Sequence, residues 1–109
     1  MKRKVLLIYT GGTIGMEKDY ETGSLRAFDF GNIFEKMPEM KLMECEVSLH
    51  PFTEPLDSSD MGPKEWRMIA NYIRENYEEY DGFLVLHGTD TMSYTASALS
   101  FMLKGLRKP

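Results

Sequence analysis

Three short segments of this chain concentrate hydroxyls, carboxylates and glycines: TGGTIG at residues 10–15, DSSD at 57–60 and HGTDT at 87–91. In the first, Thr10 and Thr13 flank Gly11 and Gly12. Those glycines permit positive φ and let a ligand approach the main chain. The segment fits neither GxGxxG nor GxxxxGK[ST], which argues against a dinucleotide fingerprint or a P-loop. The plain alternative is a turn whose threonines bond only the backbone. In the third segment Thr89 stands beside Asp90. A hydroxyl next to a carboxylate can bind an amine, or relay a proton where a base is near. The competing reading is a helix start with Asp90 or Thr91 as N-cap. Asp57, Ser58, Ser59 and Asp60 suit either a ligand clamp or a capping segment for a helix after Pro63. His87 and His50 are the two histidines and show no metal-ligand spacing, so no metal is expected.

The elements that must position these segments follow from hydropathy. Residues 5–9 (VLLIY) form a continuous apolar run between charges and glycines, which predicts a strand buried on both faces, as in a parallel sheet. Residues 17–26 are polar around Gly23 and predict a mobile loop or loose hairpin. A short helix is expected over 32–37, stopping before Pro38. Residues 44–52 alternate partly, with Val47 and Leu49 inward, and predict a second strand. Pro63 is placed for a first helical turn, and Trp66, Ile69, Ala70, Ile73, Tyr77 and Tyr80 follow at helical spacing. Residues 83–86 (FLVL) predict a third buried strand, and 92–104 a helix whose small residues would lie close on the sheet. The chain also reads as ending just before a further strand. Strands alternating with helices predict a mainly parallel α/β sheet. In such sheets the loops at the carboxyl ends of the strands form the binding crevice, so the three polar segments should converge there. Their side chains suit a small polar ligand carrying an amine and a carboxylate.

Composition narrows the class. The 109 residues are 42% apolar and 28% charged, enough for one small domain with a core. The net charge is −4, and the basic residues scatter apart from Lys2, Arg3 and Lys4, so no nucleic-acid partner is expected. Cys45 is the single cysteine, which excludes an internal disulfide and fits a reducing compartment, the cytoplasm. No stretch approaches the ~20 apolar residues of a membrane span. The run at residues 5–9 is also shorter than a secretory core.

Taken together, YTGGTIG, LDSSDM and DGFLVLHGTDTM resemble the signatures of the asparaginase family, in order and in spacing. LDSSDM and TMSYTASALSFML are most similar to the cytoplasmic, bacterial type I members. The resemblance implies a doubly wound α/β domain, with residues 1–109 as the N-terminal portion of the family's N-terminal domain. It implies Thr13 as nucleophile and Thr89 as second catalytic threonine. Asp90 would bind the substrate amino group and help organise a lysine. Asp57, Ser58 and Ser59 would hold the α-carboxylate, and Gly12 would line the site. Tyr20 is the tyrosine the loop offers for the family's mobile-loop role, yet it precedes Gly23. Type I relatives carry theirs just after that glycine, where Ser24 or Leu25 stands here. The catalytic lysine belongs to sequence beyond Pro109.

The implied reaction hydrolyses L-asparagine to L-aspartate and ammonia without a cofactor, in a homodimer or homotetramer of the full-length enzyme. The 109-residue chain alone is expected to be inactive. A glutaminase and a component of a tRNA-dependent amidotransferase share the motifs. A non-catalytic amino-acid-binding module and a flavodoxin-like flavin or phosphate binder are the readings from other classes.

Overall fold

A computed structural model describes residues 2–11, 16–27, 37–52 and 58–109 of the chain. Among the described residues, five strands and two longer helices follow one another: β1 (Arg3–Tyr9), β2 (Met16–Lys18), β3 (Leu25–Ala27), β4 (Cys45–Pro51), α1 (Pro63–Glu75), β5 (Gly82–Leu86) and α2 (Met92–Met102). Short 3-10 helices occupy Pro38–Leu42 and Ser58–Asp60. β2 and β3 pair antiparallel, as the loose hairpin expected around Gly23. The helix expected over 32–37 lies almost wholly outside the described residues.

β1 runs parallel to both β4 and β5, in the order β4-β1-β5. The central place of β1 explains its composition. Leu6, Leu7, Ile8 and Tyr9 are all buried, so both faces of this strand are covered. Burial also pushes the Tyr9 phenol above its ordinary pKa, because the phenolate would lose its hydration. Leu6 and Ile8 join Ile69, Ala70 and Ile73 of α1 and Leu103 in one core, with Phe83 and Val85 packed against it. Both long helices therefore lie on one face of the sheet. β5 departs from the expectation of full burial: Phe83 and Val85 face that core, but Leu84 points the other way and is 52% exposed.

α1 begins as expected, with Pro63 in the first turn and Glu65 Oε2 accepting the Gly62 N–H at 3.0 Å. It stops earlier than the apolar stripe does. Asn76 donates both its backbone N–H and its side-chain amide to the Tyr72 carbonyl, at 3.2 and 2.8 Å, and the Tyr77 N–H then turns back to the Arg74 carbonyl at 3.4 Å, a tighter step than the helix makes. Tyr77 and Tyr80 then reach the core from the following turns, each within about 6 Å of the Phe83 ring (6.0 and 6.1 Å between centroids).

α2 packs differently from the expectation. Of its small residues, Thr95 is buried and Ala98 half-buried, whereas Ser93, Ala96 and Ser97 are exposed. The inward stripe is Thr95 with the larger Leu99 and Met102, at four- and three-residue steps. On the edge strand β4, His50 stacks on Tyr72 of α1 with ring centroids 3.7 Å apart. Val47 and Leu49, expected inward, are half-buried.

Candidate functional site

The site is set by the level at which three parallel strands end. In the sheet register Tyr9 pairs with both Pro51 and Leu86, so β1, β4 and β5 finish side by side. The Phe52 N–H donates to the Tyr9 carbonyl at 2.8 Å and extends the β1–β4 pairing by one step. The chain thus leaves β1, β4 and β5 at the carboxyl edge of one sheet, where α/β proteins place their binding crevice.

Thr10 ties two of these exits together. Its N–H and its hydroxyl both donate to the Leu86 carbonyl, at 3.1 and 2.8 Å. The residue is fully buried, so this double bond satisfies its polar atoms inside the protein. Gly11 follows with φ +137°, a left-handed backbone that strains any residue with a Cβ. That meets the reason for a glycine at this turn. Gly12 and Thr13 lie outside the described residues.

Beyond Leu86 the chain enters the third segment. His87 is buried and held at both ring nitrogens: Nδ1 lies 2.5 Å from the Gly88 carbonyl, and Nε2 lies 2.8 Å from Thr95 Oγ1. The Trp66 indole N–H donates to the same Thr95 oxygen at 2.9 Å. Thr89 and Asp90 are exposed at the mouth of this turn, and Thr91 takes the N-cap position of α2. The helix-start reading therefore falls on Thr91. Thr89 and Asp90 occupy the turn just before it.

The second segment enters as the 3-10 turn Ser58–Asp60, in which Ser59 and Asp60 are exposed and after which Met61 is buried. Asp57 lies outside the described residues. Tyr20 sits at the tip of the β2–β3 hairpin and is 91% exposed. Among the described residues no group of histidine, cysteine, aspartate and glutamate could hold a metal ion, and no helix is long and apolar enough to cross a membrane. Residue order gives no sign of the Trp66–Thr95–His87 chain. Trp66 and Thr95 read there as packing residues, and their spacing carries no mark of a polar contact across 29 positions.

A parallel sheet with helices packed against it defines an α/β protein. The chain belongs to the asparaginase family, whose N-terminal model ("Asparaginase, N-terminal") it matches over residues 4–109. It is 46% identical over 109 residues to L-asparaginase 1 of Escherichia coli, covering 99% of this chain and 32% of that protein. The crystal structure of L-asparaginase I from Vibrio cholerae superposes with a TM-score of 0.79 at 45% identity, covering 93% of this chain and 30% of that one. One component of the glutamyl-tRNA(Gln) amidotransferase of Pyrococcus horikoshii is 43% identical over 107 residues, covering 96% of this chain and 24% of that protein. The chain thus spans about a third of the length of E. coli L-asparaginase 1.

Proposed function

We propose that this chain carries the nucleophile-bearing part of an amidohydrolase that converts L-asparagine to L-aspartate and ammonia. The observation that carries this reading is the shared edge. Strands end level at Tyr9, Pro51 and Leu86, and the TGGTIG, DSSD and HGTDT segments follow them in the sequence of a chain of the asparaginase family.

In this mechanism Thr13 Oγ attacks the carbon of the side-chain amide. A threonine hydroxyl is a weak nucleophile until a base removes its proton. Thr89, acting with the lysine that the family supplies outside these residues, takes that proton and returns it to the leaving nitrogen as the C–N bond breaks. Ammonia departs and an acyl-enzyme ester on Thr13 remains. Water activated by the same groups then cleaves the ester, releasing aspartate and restoring the hydroxyl. Main-chain N–H groups at Gly12 and Thr89 stabilise the oxyanion in both steps. Asp90 pairs with the substrate ammonium and orders the lysine. Asp57, Ser58 and Ser59 take up the α-carboxylate. Tyr20 is the tyrosine offered by the hairpin for the loop role.

The chain is then the N-terminal portion of the asparaginase N-terminal domain, part of a cytoplasmic homodimer or homotetramer that needs no cofactor. A glutamine-directed or tRNA-linked amidase is the second reading, favoured by the identity with the amidotransferase component. Ammonia release from asparagine and from glutamine, measured on this chain and on a chain extended to the length of its relatives, tests the proposal. Turnover of asparagine by the extended chain is expected. Turnover of glutamine alone would transfer the assignment to the second reading, and no amide turnover would remove it.

A further inference from the structure

With a neutral imidazole, the hydrogen bonds around His87 have one consistent direction. A carbonyl oxygen only accepts, so the Gly88 carbonyl at 2.5 Å requires the proton on Nδ1. In a neutral imidazole Nε2 is then an acceptor, and its partner at 2.8 Å is the Thr95 hydroxyl, which must donate. The Thr95 oxygen is left free to accept, and the Trp66 indole N–H, a group that can only donate, supplies that bond at 2.9 Å. The chain of donors therefore runs from Trp66 on α1, through Thr95 on α2, to His87 at the end of β5, and finishes on the Gly88 carbonyl. Thr95 and His87 are 3% and 8% exposed, so water competes little for these bonds.

The last bond has a geometric consequence. In a planar trans peptide the C=O and the following N–H point in opposite directions. Holding the Gly88 carbonyl toward His87 aims the Thr89 N–H away from His87. We propose that Trp66, Thr95 and His87 are positioning residues that orient the Gly88–Thr89 peptide and so aim the Thr89 N–H at the oxyanion of the reacting amide. The part of this inference that concerns turnover rests on the proposed function. The tautomer and the direction of the chain do not.

Two measurements test it. In this chain, long-range nitrogen-15 correlation spectra of His87 are expected to show a single tautomer protonated at Nδ1. A ring protonated at Nε2, or a mixture of tautomers, overturns the proposal whether or not the protein hydrolyses any amide. In the extended enzyme, Thr95→Val keeps the shape of the side chain and removes the hydroxyl. An oxyanion donor acts in the transition state rather than on bound substrate. Its misalignment should lower kcat by about tenfold and leave KM within about twofold, with Thr95→Ser restoring kcat. A folded Thr95→Val enzyme with parental kcat, or one altered in KM alone, overturns the role. Should Thr95→Val fail to fold, Trp66→Phe removes only the first donor and is held to the same split between kcat and KM. An extended parent without amidase activity would defeat the proposed function, leaving the tautomer measurement to decide the geometry.

Discussion

The turn after β5 and the β2–β3 hairpin both carry residues assigned to the reaction, and they are built in opposite ways. At the end of β5, Thr10 of the neighbouring strand donates twice to Leu86, and His87 is bonded at both ring nitrogens. Contacts come from β1, α1 and α2, elements far apart in sequence. The bonds within the hairpin turn are local: Asp19 N–H to the Ser24 carbonyl at 2.8 Å, Gly23 N–H to the Asp19 carbonyl at 2.7 Å, and Glu21 N–H to Asp19 Oδ1 at 2.9 Å. Tyr20 at its tip is almost fully exposed. The difference teaches where precision resides. The groups proposed to meet a developing charge sit on a buried frame. The hairpin is held by its own turn, as suits a segment that approaches a ligand from outside.

Substitutions can break or sharpen that contrast. The largest effect is expected from Thr13→Ala in the extended enzyme. It should reduce kcat by about 10⁴-fold or more while asparagine binding persists, since groups that act as a unit fail together. Near-parental turnover would remove Thr13 from the mechanism. Asp90→Ala comes next. A charge-assisted hydrogen bond to the ammonium contributes about 1.5–3 kcal/mol, so kcat/KM should fall by roughly one to two orders of magnitude, with KM rising. Steady-state constants within twofold of the parent would leave Asp90 as a turn residue only.

A smaller effect is expected at Thr10, and it addresses the frame itself. Thr10→Val removes the hydroxyl bond to Leu86 but keeps the main-chain one, so this carbonyl retains a partner. Chemical denaturation should show a loss of about 0.5–1.5 kcal/mol, largely recovered in Thr10→Ser. An unchanged midpoint would mean that the side-chain bond adds nothing to the junction of β1 and β5. The smallest change in stability is expected at the hairpin. Tyr20→Phe should alter unfolding free energy by less than about 0.5 kcal/mol, as for other exposed positions without a buried partner. Its kcat in the extended enzyme then assigns the role: a clear fall places Tyr20 in the reaction, and no fall passes the role to another residue.

Much of this molecule was legible in residue order. The run VLLIY reads as a buried strand, because five consecutive apolar residues between charges and glycines leave no face for water. Pro63 ahead of a helical stripe marked the start of α1, and Gly11 marked a backbone with positive φ. The three signature segments identified the family because their order along the chain is itself information. Other features were not legible, for physical reasons. The end of α1 at Glu75 has no mark in the apolar stripe, which runs on to Tyr80 through the turns that follow the helix. The exposure of Leu84 and the orientation of α2 depended on which neighbours cover each face, and periodicity carries no record of the neighbour.

The sequence by itself determined the class of strand and helix, the parallel sheet, the family and the candidate residues Thr13, Thr89 and Asp90. Local hydropathy suffices for the elements, and the resemblance of three motifs to the family's signatures supplies the family and the proposed residues. Only the tertiary structure decided that β1, β4 and β5 end level and that Thr10 closes on Leu86. Only there does an indole on α1 reach, through Thr95, the histidine that precedes Gly88 and Thr89. Each of these is a hydrogen bond between residues far apart in the chain, and its formation depends on the packing distance between elements rather than on their order.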